Sequence, residues 1–154
     1  MFENRQAEHH VDELEREIGR LWSGLELDPA VPLLRKPRGD GSAYVQFRDG
    51  GYQIAVEERG QEYWREWGLD LGTAARFFLF QMAVHHAGQE ELQQRGEVGG
   101  YSRWNWMAPA IALMQRLTPQ YGVWAAEHYA QALDHAPLTP DELRFTRWPL
   151  LPSE

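Results

Sequence analysis

The chain has 154 residues and no cysteine, which excludes disulfide bonds and thiolate metal sites. Hydrophobic residues make up 43% of it and include seven tryptophans, so the sequence is typical of a folded domain and not of a disordered segment. The formal charge of −8 disfavours a nucleic-acid partner, and no apolar run approaches the roughly 20 residues of a membrane span. Because the N-terminus also lacks a secretory signal pattern, we expect a cytoplasmic protein with no membrane partner.

The N-terminal segment has the periodicity of an amphipathic helix. Val11, Leu14 and Ile18 recur at spacings of three and four residues with charged residues between them, which predicts a helix over 8–23. The following stretch, 28–42, contains three prolines and two glycines and is therefore predicted to be a loop.

Alternating residues over 43–67 predict an antiparallel meander. The turns are expected at Asp49-Gly50-Gly51 and at Arg59-Gly60, because glycine after a polar residue favours a tight hairpin. Three strands follow from these turns: 43–47, 52–58 and 61–67. A sheet of this size needs helices packed on it to be stable.

Residues 70–145 are predicted to be helical apart from short connections. The cap signals are Asp70 or Thr73 before a long helix over 71–95, Asn105 before a helix through Leu117, Thr118-Pro119 before a helix that ends near His135, and Thr139-Pro140-Asp141-Glu142 before a short final helix. With an extended tail over 146–154, the sequence predicts a single α+β domain over 1–154, in which the sheet packs against about four helices.

Two adjacent carboxylates in the middle strand raise the question of acid–base chemistry. Glu57 and Glu58 point to opposite faces of a strand, so they cannot act on one point. Glu58 shares its face with Ile54, and a carboxylate that enters the core needs a partner. We therefore predict a structural polar role for Glu58, paired with a distant arginine such as Arg103, with partner binding as the alternative.

The histidines are candidate metal ligands. His86 and Glu90 lie four residues apart on the predicted long helix, a spacing that suits a metal ion, but such a site needs three or four ligands. The HExxH and GxSxG motifs are both absent. We expect no catalytic residue, no metal site and no cofactor.

Aromatic residues cluster on the third predicted strand. Trp64, Arg65 and Trp67 could stack on a nucleotide, but packing across neighbouring strands is the more common use of such residues.

The order of these features resembles that of a known protein class. The features are an amphipathic helix, a meander with Glu58-Arg59-Gly60, a long helix begun near Asp70, then Arg95, Arg103 and Trp104, two apolar helices and an end at Ala136-Pro137. Over about residues 43–138 the chain resembles the small α+β immunity proteins encoded beside toxins in bacterial polymorphic toxin systems. The type called immunity protein sixty-three is the most similar, with type sixty-one as a neighbour. The chain departs from that pattern around residues 100–104, where Gly-Gly-Tyr-Ser-Arg-Trp replaces a more charged segment.

The resemblance implies a protein that binds a cognate toxin domain and occludes its active site. On that basis we expect an immunity protein that is not an enzyme and is a monomer or weak dimer. The acidic surface suits a basic toxin cleft. The candidate contacts surround the second turn and the third strand: Glu57, Glu58, Arg59, Glu62, Trp64 and Trp67.

Two other functions remain as alternatives. The chain could be a small metal-dependent hydrolase that uses His86, Glu90 and a histidine from another helix. It could also be an adaptor or chaperone for a secreted effector, with the first helix as a coiled-coil seam.

Overall fold

The computed structural model describes residues 2–151, without the side chains of residues 2, 3 and 96–98. Its elements in chain order are α1 (Phe2–Ser23), β1 (Asp40–Arg48), β2 (Gly51–Glu58), β3 (Gln61–Leu69), α2 (Leu71–Val98), α3 (Trp104–Leu117), α4 (Pro119–His135) and α5 (Pro140–Phe145). The chain is α+β, as the sequence predicts. The predicted extended tail has neither helix nor strand over 146–151, and its last three positions lie outside the described residues.

Contacts between Cα atoms divide the chain into two compact units, residues 1–78 and 79–154. The boundary falls inside α2, so unit 1 holds α1, the three strands and the beginning of α2, while unit 2 holds the remainder. The prediction of one domain over 1–154 stays a prediction.

Unit 1 is built on a three-stranded sheet in the order β1-β2-β3, with both neighbouring pairs antiparallel. Asp49 and Gly50 have φ angles of 54° and 76°, and Arg59 and Gly60 have 53° and 80°. Two consecutive residues with positive φ define the tight hairpin turn whose twist matches that of the strands. Both predicted turns are confirmed, and the first uses Asp49 and Gly50 alone because Gly51 already belongs to β2.

Helix α1 covers one face of the sheet. Val11, Leu14 and Ile18 are buried, as their spacing predicts. The hydroxyl of Tyr52 on β2 donates to the backbone oxygen of His10 at 2.7 Å, which fixes the helix against the strand. The helix begins at Phe2 and not at residue 8; residues 4–6 are polar and exposed and therefore give no apolar periodicity to detect.

Gly51 lies where β2 and β3 approach too closely for a side chain. A Cβ atom at this position would stand 2.8 Å from the Cα of Gly68, which is backbone and cannot rotate away. We expect Gly51→Ala to lower the free energy of unfolding by about 1–3 kcal/mol, the usual range for overpacking. Urea denaturation measures this.

Gly19→Ala is the matched control for that substitution, because nothing lies within 4 Å of its added Cβ in α1. Alanine favours a helix over glycine, so Gly19→Ala should leave stability unchanged or raise it. Equal stability of Gly51→Ala and wild type would contradict the close approach of the two strands.

For the last three helices of unit 2, the sequence predicts the N-cap correctly in two cases. Thr118 accepts a hydrogen bond from the Tyr121 backbone at the start of α4, and Thr139 with Glu142 forms a complete capping box at α5. Asn105 is not a cap, because α3 already begins at Trp104, with Arg103 at the N-cap position.

The side chain of Asn105 instead fastens the C-terminal segment to α3. Its amide donates to the backbone oxygen of Phe145 at 2.9 Å, and its oxygen accepts from the backbone of Arg147 at 2.8 Å. The side-chain groups that make asparagine a good cap are therefore used by a segment about 40 residues further along the chain.

Candidate functional site

Three exposed aromatic side chains of unit 1 are on β3. The exposed fractions are 62% for Tyr63, 38% for Trp64 and 64% for Trp67. These residues lie next to the β2–β3 turn, together with most of the contacts that the sequence suggested. We call the whole set the hairpin surface; it comprises Glu57, Glu58, Arg59, Glu62, Tyr63, Trp64, Arg65, Glu66 and Trp67.

The side-chain directions on β3 are set by an extra residue in that strand. Trp64 pairs with Val56 and Glu62 pairs with Glu57, so one step on β2 matches two steps on β3 and Tyr63 has no partner. Such a bulge moves the following side chains to the opposite face from the one that strict alternation gives. Glu62 and Arg65 thereby come to the same face, although they are three residues apart.

Arg65 is the centre of a polar network on this face. Its Nη1 donates to Oε1 of Gln53 and its Nη2 donates to the hydroxyl of Tyr44, both at 3.1 Å. Its Nε donates to Oε1 of Glu62 at 3.0 Å, and its guanidinium lies 5.1 Å from the centre of the Trp67 ring. Only 14% of the Arg65 side chain is exposed, so the guanidinium is held in one geometry.

The same network changes the protonation of its members. The hydrogen bond from Arg65 lowers the pKa of Glu62 below its ordinary value, and the bond to Glu62 raises the pKa of Arg65. Both groups are therefore charged throughout the neutral range.

Trp64 has a structural contact as well as an exposed edge. Its ring stacks on Phe77 of α2, with centroids 5.4 Å apart and planes 13° from parallel. Trp64 therefore links β3 to the beginning of α2, whereas Tyr63 and Trp67 present most of their surface to solvent.

A second irregularity lies at the other end of β3. Ile54 pairs with Glu66 and Tyr52 pairs with Leu69, so β3 again holds one residue more than β2. Strand β3 is an edge of the sheet, and two irregularities make it a poor template for a further strand. A partner at this surface would contact side chains and not add to the sheet.

The structure corrects the prediction for Glu58. The sequence placed it at the edge of the core with Arg103 as partner, but Glu58 is exposed at the last position of β2. Only the first part of β2 is inside the core, so sharing a face with Ile54 does not bury Glu58. Gly51–Ala55 are buried, Val56 and Glu57 are half-buried, and Glu58 is exposed. Glu57 is thus half-buried, while Arg59 and Glu62 are exposed.

Arg103 does have the predicted structural role, but with another partner. Its Nε donates to Oε2 of Glu142 at 2.8 Å and its Nη2 donates to Oε1 at 2.9 Å. Glu142 also accepts from the backbone N–H groups of Arg103 and Thr139, and the Arg103 bonds hold its pKa at about 2. This pair ties the start of α3 to the start of α5.

The other unit 2 residues that carry the resemblance also have structural contacts. Oε1 of buried Glu91 lies 3.3 Å from Nε of Arg95, whose guanidinium stacks over Tyr101 with 4.8 Å to the ring centre. Trp104 is buried, and its indole donates to the backbone oxygen of Pro149 at 3.0 Å. These contacts give both residues a structural role, Trp104 inside the unit 2 core and Arg95 at its edge.

The candidate metal ligands His86 and Glu90 form an ordinary contact on the surface of α2. Nε2 of His86 lies 3.2 Å from Oε1 of Glu90, one turn further along α2. Among the side chains that the structure describes, no three histidines or carboxylates come together in a way that could hold a metal ion. His128 instead stacks on Trp124, with ring centroids 5.1 Å apart.

Sequence reasoning missed Tyr63, Glu66 and the central position of Arg65. Tyr63 is conspicuous only because the bulge leaves it unpaired, and a bulge has no reliable signature in one sequence. The run of aromatic and charged residues over 62–67 was the available signal.

Comparison of the chain with protein-family models, with curated proteins and with solved structures finds no match. No helix in the part of the chain that the structure describes combines the length and the apolarity needed to cross a bilayer.

Proposed function

We propose that this chain is an immunity protein, which binds a cognate bacterial toxin domain through the hairpin surface and neutralises it. The observation that carries the proposal is the pair of exposed aromatic residues, Tyr63 and Trp67, which lie two positions before and after Arg65 along β3, an arginine that is already fixed in place. The resemblance of the sequence to immunity proteins supplies the kind of partner.

The composition of the hairpin surface suits a protein interface. Tyrosine, tryptophan and arginine are the residues most often found at the energetic centre of such interfaces. Because Arg65 is bound to Tyr44, Gln53 and Glu62 in the free protein, little side-chain entropy remains to be lost on binding.

The charge of the hairpin surface suits a basic partner. Four carboxylates, Glu57, Glu58, Glu62 and Glu66, stand against Arg59 and Arg65, and the whole chain is acidic. Complementary charge accelerates association with a basic toxin cleft and makes that rate sensitive to salt. Neutralisation then needs no chemical step, because a bound hairpin surface keeps substrate out of the cleft.

Co-expression with the catalytic domain encoded by the adjacent gene tests the proposal. We expect a complex that survives size-exclusion chromatography and restores growth of cells that express the toxin domain. The double variant Tyr63→Ala/Trp67→Ala should neither form the complex nor restore growth, while its circular dichroism spectrum shows that it is still folded. A chain that neither binds the domain nor rescues growth would refute the proposal.

A further inference from the structure

The opposite edge of the sheet, at β1, differs from the β3 edge. From Ala43 to Arg48, β1 pairs with β2 one residue against one, without an irregularity. The backbone N–H of Val45 donates to the oxygen of Leu34 at 2.9 Å, which shows that Val45 turns its peptide groups away from β2. A segment of the loop thus already begins a ladder on this edge.

Phe47 continues that edge. In an antiparallel ladder, alternate residues present their peptide groups to the same side, so the N–H and C=O of Phe47 face outward as those of Val45 do. Among the backbone groups and side chains that the structure describes, none has a recorded hydrogen bond to either of them outside the strand ladder. These are one donor and one acceptor in the geometry of an unfilled ladder.

A groove of about 810 Å³ runs along this stretch of β1. Its lining includes Ala7 and Val11 from α1, residues 45–48 from β1, and Arg35 with Lys36 from the loop that precedes β1. A groove between a helix and the edge of a strand has room for a single extended segment. A larger partner that offered the edge of its own sheet would collide with α1.

The charges beside the groove favour an acidic occupant. Lys36 and Arg48 line it, and in the described part of the chain neither has an ion-pair partner, whereas Arg35 is already paired with Asp12. Of the two acids in the lining, Glu8 belongs to α1 and Asp49 to the turn beyond the end of β1. Of the β1 residues in the lining, Arg48 is the charged one, and Lys36 adds a second cation from the neighbouring loop.

We propose that this groove binds an extended peptide with acidic side chains, which adds to the β1 edge as a fourth strand. Its backbone would pair with Phe47, and its carboxylates would contact Lys36 and Arg48. Main-chain hydrogen bonds supply the affinity in this mode, and side chains supply the selectivity. The site is separate from the hairpin surface and does not depend on the function proposed for it.

Fluorescence anisotropy with two labelled heptapeptides tests this site: Thr-Glu-Val-Glu-Val-Glu-Thr, amidated at its C-terminus, and its counterpart with lysine in place of glutamate. We expect the acidic peptide to bind and the basic one not to bind. Lys36→Glu with Arg48→Glu should weaken binding by about tenfold or more. Arg38→Glu, exposed and outside the groove, should leave it unchanged.

Hydrogen exchange distinguishes strand addition from simple charge attraction. Addition of the acidic peptide should slow exchange of the Phe47 amide, because only a paired backbone protects that proton. The proposal is overturned if both peptides bind equally, if neither binds, or if the acidic peptide binds without protecting Phe47.

Discussion

Glu142→Gln is expected to destabilise unit 2 by about 2 kcal/mol at neutral pH, the order of a partly buried charged pair that loses one member. Glutamine keeps the length of the side chain, and its oxygen can still accept from the Thr139 backbone. Its NH2 group replaces an oxygen that accepts from Arg103, so the loss combines the charge with the hydrogen bonds that it strengthens. What remains is the guanidinium of Arg103, held in place without its carboxylate and with 25% of its side chain exposed. Urea denaturation, followed by the fluorescence of the tryptophans, measures the change.

The same pair gives the chain a defined dependence on pH. The pKa of Glu142 falls from an ordinary 4.5 to about 2 in the folded protein, mainly because Arg103 donates to it. Its stabilising contribution is therefore complete above pH 4.5 and is lost as the pH falls through about 2. The difference in stability between wild type and Glu142→Gln should shrink over that range.

Glu127→Gln is the control, because Glu127 is exposed on α4 and its loss should change stability little at any pH. If wild type and Glu142→Gln kept the same difference from pH 7 to pH 2, the ionisation of Glu142 would not be the source of the effect.

Trp67→Ala is expected to weaken the complex with the toxin domain by about 30-fold, or 2 kcal/mol, as for other exposed aromatic residues at the centre of an interface. The free protein should keep nearly all its stability, because 64% of Trp67 is exposed and its ring lies against the guanidinium of Arg65 and not in the core. Titration calorimetry with the purified toxin domain measures the affinity.

Trp148→Ala is the matched control for that substitution. Trp148 is also an exposed tryptophan but lies in the C-terminal segment of unit 2, so its loss should leave the affinity unchanged. Equal binding by wild type and Trp67→Ala would remove the hairpin surface from the proposed interface. Such a result would leave the immunity function itself to the co-expression experiment.

The elements of this fold that the sequence predicts well are those with local causes. Asp49-Gly50 combines glycine with a residue that tolerates positive φ, whereas Arg59-Gly60 supplies the glycine alone. Thr118-Pro119 supplies a side-chain acceptor followed by a residue without an N–H. Each signal occupies neighbouring residues, so no knowledge of the rest of the chain is needed to interpret it.

The predictions that failed depend on residues far apart in the chain. Asn105 has the chemistry of a cap, but Phe145 and Arg147 compete for its side chain with better placed groups. In the same way, Arg103 was correctly assigned a structural carboxylate, yet nothing in the sequence favours Glu142 over Glu58 as its partner. Tertiary contacts decide such choices, and one sequence does not contain them.

In the candidate site, too, the composition was predictable from the sequence and the geometry was not. The charged and aromatic run was visible in the sequence, but strict alternation puts Glu62 and Arg65 on opposite faces of a strand. The unpaired Tyr63 reverses that arrangement and creates the ion pair. A change of one residue in register therefore decides whether Arg65 is a surface charge or the centre of a network.

The two tight turns also bear on the order of events in folding. Every strand pair of the sheet joins residues that are near neighbours in the chain, so its contact order is low and the entropy lost in closing each loop is small. Hairpins of this kind form in the order of microseconds. During synthesis, the strand with Tyr63 and Trp67 can pair as soon as residues up to Leu69 have left the ribosome, with α1 already present to cover the sheet and before unit 2 has emerged.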